Sequence, residues 1–250
     1  MSRSWLVIPH RRTAPRAQLV CFPYAGGGAA IFTGWVRLLP EDVQVISIQY
    51  PGRHHLFSEP ALPRMEALAE RIAHQLQPLF HASLPTLCYG HSMGSLVAFE
   101  VLRLLRDRGS RLPEHFAVGA FSAPHLPFSH AGFHLLDDDH FLEAVAAQYE
   151  VIPPEFLADP EWRRMLIGSL RADFELLHHY RFQPAPPLPI PIHAFAGTQD
   201  CIANDLVAAW QEHTSGSFAW EPIAGGHFFF RPDPTPLINR LLALLRRSQR

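Results

Sequence analysis

The pentapeptide Gly90-His91-Ser92-Met93-Gly94 constrains this chain more than any other stretch, because an apolar, strand-like run at residues 86–89 leads into it and a helical pattern leaves it. A serine on so tight a strand-to-helix turn has strained backbone angles, and side chains two residues to either side of it would collide. Glycine at both flanking positions lets the Ser92 hydroxyl stand clear. The same turn sets the backbone N–H of Met93 at a helix N-terminus, where unpaired donors and the helix dipole favour negative charge. The five-residue pattern alone also fits an ordinary glycine-bounded turn. Its strand-then-helix context favours a nucleophile, with Met93 supplying half of an oxyanion hole.

Short apolar, β-branched runs alternate with helical patterns around this turn. Strands are predicted at residues 19–22, 43–48, 86–89, 116–121, 192–196 and 218–223, an alternation that argues for a mostly parallel sheet covered by helices on both faces. The helix after Ser92 carries Leu96, Val97, Val101, Leu104 and Leu105 on one face and ends at Gly109. A last helix is predicted over 236–247, with Thr235 as its N-cap. Between the fourth and fifth strands the rhythm breaks. Residues 124–190 are too long for a plain connection and read as an insertion with helices at 137–149 and 160–180 and a proline-dense return. Its apolar residues Phe133, Leu135, Phe141, Val145, Phe156, Leu166, Leu170 and Phe174 suit a lid over an acyl pocket, the alternative being a packed subdomain with no binding role.

Composition narrows the chemistry. At 250 residues the chain suits a single α/β domain, and with 48% hydrophobic residues and a formal charge of −2 it has no strong attraction for nucleic acid. All 21 basic residues are arginine, which excludes a Schiff-base lysine and a phosphate-loop lysine together. Met1 to Pro9 is too short and interrupted for a signal peptide and no apolar run reaches membrane-spanning length, so a cytoplasmic protein is expected. Cys21, Cys88 and Cys201 fit neither a disulfide framework nor a zinc site and read as free thiols.

A serine hydroxyl needs a base to take its proton and a third group to orient that base. On a sheet of this kind the order is serine, acid, histidine, with the last two on loops after strands. Asp200 follows the 192–196 strand directly, whereas no acid follows the preceding strand, where the chain reads Ser122-Ala123-Pro124-His125. Among sixteen histidines, His227 in Gly225-Gly226-His227 follows the last strand and precedes the final helix. The second oxyanion donor belongs on the loop after the first predicted strand, Phe22 to Gly28. We assign it to the backbone N–H of Ala25, with Tyr24 as the alternative. No metal is expected: the adjacent pairs His54-His55 and His178-His179 would diverge, and Asp137, Asp138 and Asp139 before His140 suit a helix start without any ion.

Taken together, Phe22-Pro23-Tyr24-Ala25-Gly26-Gly27, Tyr50-Pro51-Gly52-Arg53, Gly90-His91-Ser92-Met93-Gly94, Ser122-Ala123-Pro124-His125 and Gly225-Gly226-His227-Phe228-Phe229 resemble the type II thioesterases. These are stand-alone α/β-hydrolases that accompany polyketide synthases and nonribosomal peptide synthetases. The resemblance spans nearly the whole chain and implies the α/β-hydrolase fold with a helical lid. It also implies hydrolysis of unwanted acyl groups from the phosphopantetheine arm of acyl or peptidyl carrier proteins. By motif match Ser92, Asp200 and His227 are the triad, with Ala25 and Met93 as oxyanion donors. No cofactor is expected, since phosphopantetheine arrives on the partner, and a monomer is expected. Arg53 is the first candidate for contact with an acidic carrier-protein helix, the alternative being an internal, loop-stabilising salt bridge; Leu170 is the candidate for contact with the acyl chain. The same triad would also serve a carboxylesterase, a lipase or a product-releasing thioesterase.

Overall fold

In the computed structural model, which describes residues 4–81, 84–127, 132–149 and 160–247, seven strands form one sheet. They are β1 (Leu6–Val7), β2 (Ala17–Phe22), β3 (Val43–Ile48), β4 (Thr86–His91), β5 (His115–Gly119), β6 (Ile192–Gly197) and β7 (Phe218–Ile223), in the order β1-β3-β2-β4-β5-β6-β7. Every neighbouring pair is parallel except β1 with β3. The long helices are α1 (Met65–His81), α2 (Met93–Asp107), α3 (Asp138–Tyr149), α4 (Pro160–His179) and α6 (Thr235–Arg247), with the short α5 (Asn204–Ala208) between β6 and β7.

Side chains alternate across each strand, and the central strands are buried on both faces. Along β2, Leu19 and Cys21 join a cluster with Phe32, Trp35, Leu237, Ile238, Leu241 and Leu245, so α6 and the 3₁₀ segment Ala29–Arg37 cover that face. Val20 and Phe22 point the other way, into a cluster with Leu68 and Ile72 of α1 and Leu96 and Val101 of α2. Each fully buried leucine of this kind contributes about 1.5–3 kcal/mol relative to an exposed one. The hydrophobic effect thus fixes β4 in the middle of the sheet, with its C-terminal end opening toward the insertion. Cys21 and Cys88 are buried free thiols.

The elements depart from the sequence reading in specific places. β4 continues to His91, so two residues of the elbow belong to the strand. β5 stops at Gly119 rather than at residue 121, because Ala120 turns to φ +50 and gives its N–H to the Phe195 carbonyl. β1 is only two residues long and its alternation was too short to read. α1, with Leu68, Ala69, Ile72, Ala73 and Leu76 all buried, has no counterpart among the predicted helices. Thr235 begins α6 instead of capping it; the Asp233 carboxylate accepts the Thr235 N–H at 2.9 Å.

The segment between β5 and β6 carries α3 and α4, which share a small cluster of their own: Phe141, Leu142, Val145, Tyr149, Leu170 and Phe174. Asp137 Oδ1 accepts the N–H groups of Asp139 and His140 at 3.2 and 3.1 Å, which caps α3. Phe133 packs against this cluster, but Leu135 is 76% exposed, so its place in an apolar lining is corrected. Phe156 lies outside the described residues. Among the described residues no helix is long and apolar enough to cross a membrane.

Candidate active site

Ser92 sits between β4 and α2 with φ +52 and ψ −125, a conformation that L-residues rarely adopt. Two glycines make it possible. A Cβ on Gly90 would lie 2.4 Å from the Gly94 carbonyl oxygen, and one on Gly94 would lie 2.2 Å from the Phe22 carbonyl oxygen. The turn is held by the Ser92 N–H, which donates to the Gly119 carbonyl at 2.7 Å, and by Ser95 Oγ, which donates to the Gly90 carbonyl at 2.8 Å.

The loops after β6 and β7 bring the other two residues to it. His227 Nε2 is 3.0 Å from Ser92 Oγ, and His227 Nδ1 is 3.0 and 3.1 Å from the two Asp200 carboxylate oxygens. The loops are tied to each other, since the Gln199 N–H donates to the Gly225 carbonyl at 2.9 Å. The side chains of His227 and Asp200 are 3% and 0% exposed. Burial by itself would raise the pKa of Asp200, but hydrogen bonding and charge from His227, with the Ile202 N–H, outweigh it and hold the carboxyl below its ordinary range. Asp200 therefore stays ionised and accepts a hydrogen bond from His227 Nδ1–H, leaving Nε2 as the lone-pair nitrogen toward Ser92.

His91 supports this arrangement from beneath. Its Nε2 lies 2.9 Å from the His227 carbonyl and its Nδ1 lies 2.9 Å from the Tyr89 hydroxyl. Burial pushes its pKa well below the usual histidine range. It is a neutral imidazole that donates through Nε2 and accepts through Nδ1.

Ser92, His227, Tyr24, Ala25 and Phe228 line one side of a cleft of about 350 Å³, its open mouth included; Val145, Tyr149, Leu170, Phe174 and Leu177 line the other. Leu170, the sequence candidate for acyl contact, is thus in the wall facing Ser92. In the loop after β2 the Gly27 N–H already bonds the Tyr24 carbonyl at 2.9 Å and the Gly26 N–H bonds Asp173 Oδ2 at 2.7 Å. Ala25 lies in the cleft with Ser92, and Met93 is the first residue of α2. Among the described residues one trio of metal-ligand types converges, Asp200, Cys201 and His227, and two of these are engaged with each other.

Arg53 is not on the surface, and its assignment as a carrier-protein contact is corrected. It is 5% exposed and its guanidinium forms two 2.7 Å bonds with Asp173, itself 5% exposed, so the internal salt bridge is the reading that holds. Through Asp173, helix α4 reaches the turn after β3 and takes up the buried Arg53 guanidinium, while His54 and His55 beside it stay exposed. Asp173 offers itself in the sequence only as an alternative to Asp200 for the acid, and its pairing with Arg53 is not foreseen. Its signal was available, as a lone carboxylate on the apolar stripe Leu170, Phe174, Leu177 of a predicted helix.

The family model for the thioesterase domain matches residues 17–244. The gramicidin S biosynthesis protein GrsT of Aneurinibacillus migulanus is 33% identical over 243 residues, covering 97% of this chain and 94% of its own. The RedJ thioesterase from the prodiginine pathway of Streptomyces coelicolor superposes with a TM-score of 0.85 at 35% identity, covering 94% of this chain and 92% of its own. BorB, the type II thioesterase of the borrelidin cluster, superposes at 0.82 with 31% identity over 98% of this chain and 99% of its own. With a strained serine, a buried histidine and an ionised aspartate in register across the same sheet, the chain belongs to the thioesterase domain family.

Proposed function

We propose that this protein hydrolyses acyl thioesters from the phosphopantetheine arm of carrier proteins, clearing stalled acyl groups from a polyketide or nonribosomal peptide assembly line. The observation that carries the reading is the continuous hydrogen-bonded series Ser92 Oγ, His227 Nε2, His227 Nδ1 and Asp200 at the foot of an apolar cleft. His227 takes the Ser92 proton as Oγ attacks the thioester carbonyl, and the Ala25 and Met93 N–H groups receive the oxyanion. The pantetheine thiol leaves with a proton from His227. Water, deprotonated by His227, then attacks the acyl-serine, and His227 returns that proton to Ser92 Oγ as the free acid leaves, while Asp200 holds the imidazole tautomer throughout. No cofactor or metal enters the scheme.

The inserted helices act as a lid, and Leu170, Phe174 and Val145 give the acyl chain an apolar wall. Relatives named for gramicidin S and borrelidin biosynthesis support the assembly-line setting. In that setting the protein works as a cytoplasmic monomer beside its synthase. The test is incubation with a panel of acylated carrier proteins and matched oxygen esters, with acyl loss read by mass spectrometry. Deacylation of carrier proteins in preference to oxygen esters is expected; preference for oxygen esters would assign a carboxylesterase instead.

A further inference from the structure

The buried pair Arg53 and Asp173 stands outside the Ser92–His227–Asp200 series, yet it grips the glycine-rich loop at two points. Arg53 Nη1 donates to the Gly27 carbonyl at 2.9 Å and to Asp173 Oδ2 at 2.7 Å, and Nη2 donates to Asp173 Oδ1 at 2.7 Å. Asp173 Oδ2 also accepts the Gly26 N–H at 2.7 Å. The loop after β2, the turn after β3 and helix α4 meet in one hydrogen-bonded unit, though Arg53 and Asp173 are 120 residues apart. Gly26, at φ +76, seats against the same helix: a Cβ there would fall 2.8 Å from Leu170 Cδ1, one turn before Asp173.

Two features argue that this unit serves geometry rather than stability. Desolvating both charges costs much of what their attraction returns, so replacing such a pair by apolar side chains of similar volume is often neutral or stabilising. A two-bond guanidinium–carboxylate fork, in contrast, fixes direction as well as distance. The Gly26 N–H belongs to the peptide unit that directly follows Ala25. Holding that unit restricts rotation about the Ala25 Cα–C bond, while the Tyr24–Ala25 unit that carries the Ala25 N–H is held on its other side by the Gly27 N–H on the Tyr24 carbonyl at 2.9 Å.

We propose that Arg53 and Asp173 are positioning residues that hold the Ala25 N–H in oxyanion-binding geometry, and that Asp173, being on α4, makes this donor depend on the seating of α4 over the cleft. The inference rests on the assignment of Ala25 as an oxyanion donor under the proposed function. The opposite arrangement, a loop fixed by its own turn, would leave the donor indifferent to α4.

The test uses the full chain with Arg53→Met/Asp173→Leu, which removes both charges together, and Arg53→Lys, which keeps a charge but loses the fork. Melting temperature, kcat and KM on an acyl-pantetheine thioester, and affinity for a trifluoromethyl ketone analogue are measured; the ketone's adduct with serine carries an oxyanion. Loss of one oxyanion donor costs about 10²–10³-fold, so a displaced donor in the double variant is expected to lower kcat by about 30- to 100-fold. Ketone affinity should fall in step, with KM within about twofold and the melting temperature close to wild type. Arg53→Lys should show the same parallel loss at about tenfold, and it carries the test alone should the double variant not fold. A folded variant with wild-type kcat, or one whose kcat falls while ketone affinity holds, overturns the proposal. Ser92→Ala serves as the reference: if it retains turnover the serine reading itself fails, and if it is inactive while the pair variants match wild type only the positioning role fails.

Discussion

Two regions face each other across the cleft, and they are built by different means. On the sheet side, the ends of β4, β6 and β7 place Ser92, Asp200 and His227 through backbone constraints: two glycines that admit no Cβ, a φ of +52, and carbonyl bonds at Gly119 and Gly225. On the other side, α3 and α4 contribute a wall made of side chains: Val145, Tyr149, Leu170 and Phe174 pack in a cluster of their own, and Leu177 joins the cluster formed by α1 and α2 against the sheet. A site fixed by backbone geometry tolerates little change, whereas a wall of Leu, Val and Phe changes shape with each substitution. Under the proposed function, chemistry resides on the first side and choice of acyl group on the second.

Breaking the sheet side should give the largest effects. Ser92→Ala removes the nucleophile with a small change in volume, and turnover is expected to fall by as much as about 10⁶-fold with the fold intact; the check is single-turnover deacylation together with a melting curve. Asp200→Asn comes next. It leaves the shape but allows the wrong imidazole tautomer, and a loss of up to about 10⁴-fold is expected, less if the thiol leaving group relieves the demand on the base. Steady-state kcat on one thioester, wild type against variant, measures it.

A change on the insertion side should alter preference rather than chemistry. Leu170→Trp narrows the wall opposite Ser92, so kcat/KM for an octanoyl thioester is expected to fall by about tenfold or more relative to acetyl. Equal loss at every chain length would merge the two regions into one.

The smallest effect concerns acid. Burial, reinforced by neighbouring His115 and His125, lowers His193 and His213 to about 4, and both lie on the sheet side, in β6 and just before β7. These imidazoles stay neutral in the folded state below the pH at which the unfolded chain takes up protons, about 6.5. Unfolding therefore binds protons in that window, and the stability present above about pH 6.5 is progressively lost as pH falls toward 4. Melting temperature should decline across this range, and His213→Phe should flatten part of the decline. A flat profile in the wild type would remove the linkage.

The sheet side was legible in the sequence because its constraints are local. Gly90, Ser92 and Gly94 are neighbours, and Asp200 and His227 each follow a strand in an order that topology imposes. The parallel sheet was equally legible from apolar runs that are buried on both faces. Long-range pairing was not. Nothing in the run Pro51-Gly52-Arg53 reveals that α4 reaches it through Asp173, so Arg53 read as a surface residue as readily as a buried one, and the partner that decides the matter is 120 residues away. Short β1 and the exposed Leu135 failed for the related reason that burial there is set by tertiary packing, not by the residue's own apolarity.

Under the proposed function, the acyl group passes through Ser92 on the sheet side before water receives it. Rapid mixing of the enzyme with an acylated carrier protein, acid quench and peptide mass spectrometry test this directly. A transient mass increase equal to the acyl group is expected on the peptide containing Ser92, formed and lost at rates compatible with turnover and absent in Ser92→Ala. Full turnover with no acyl mass on that peptide, together with an active Ser92→Ala variant, would contradict that route.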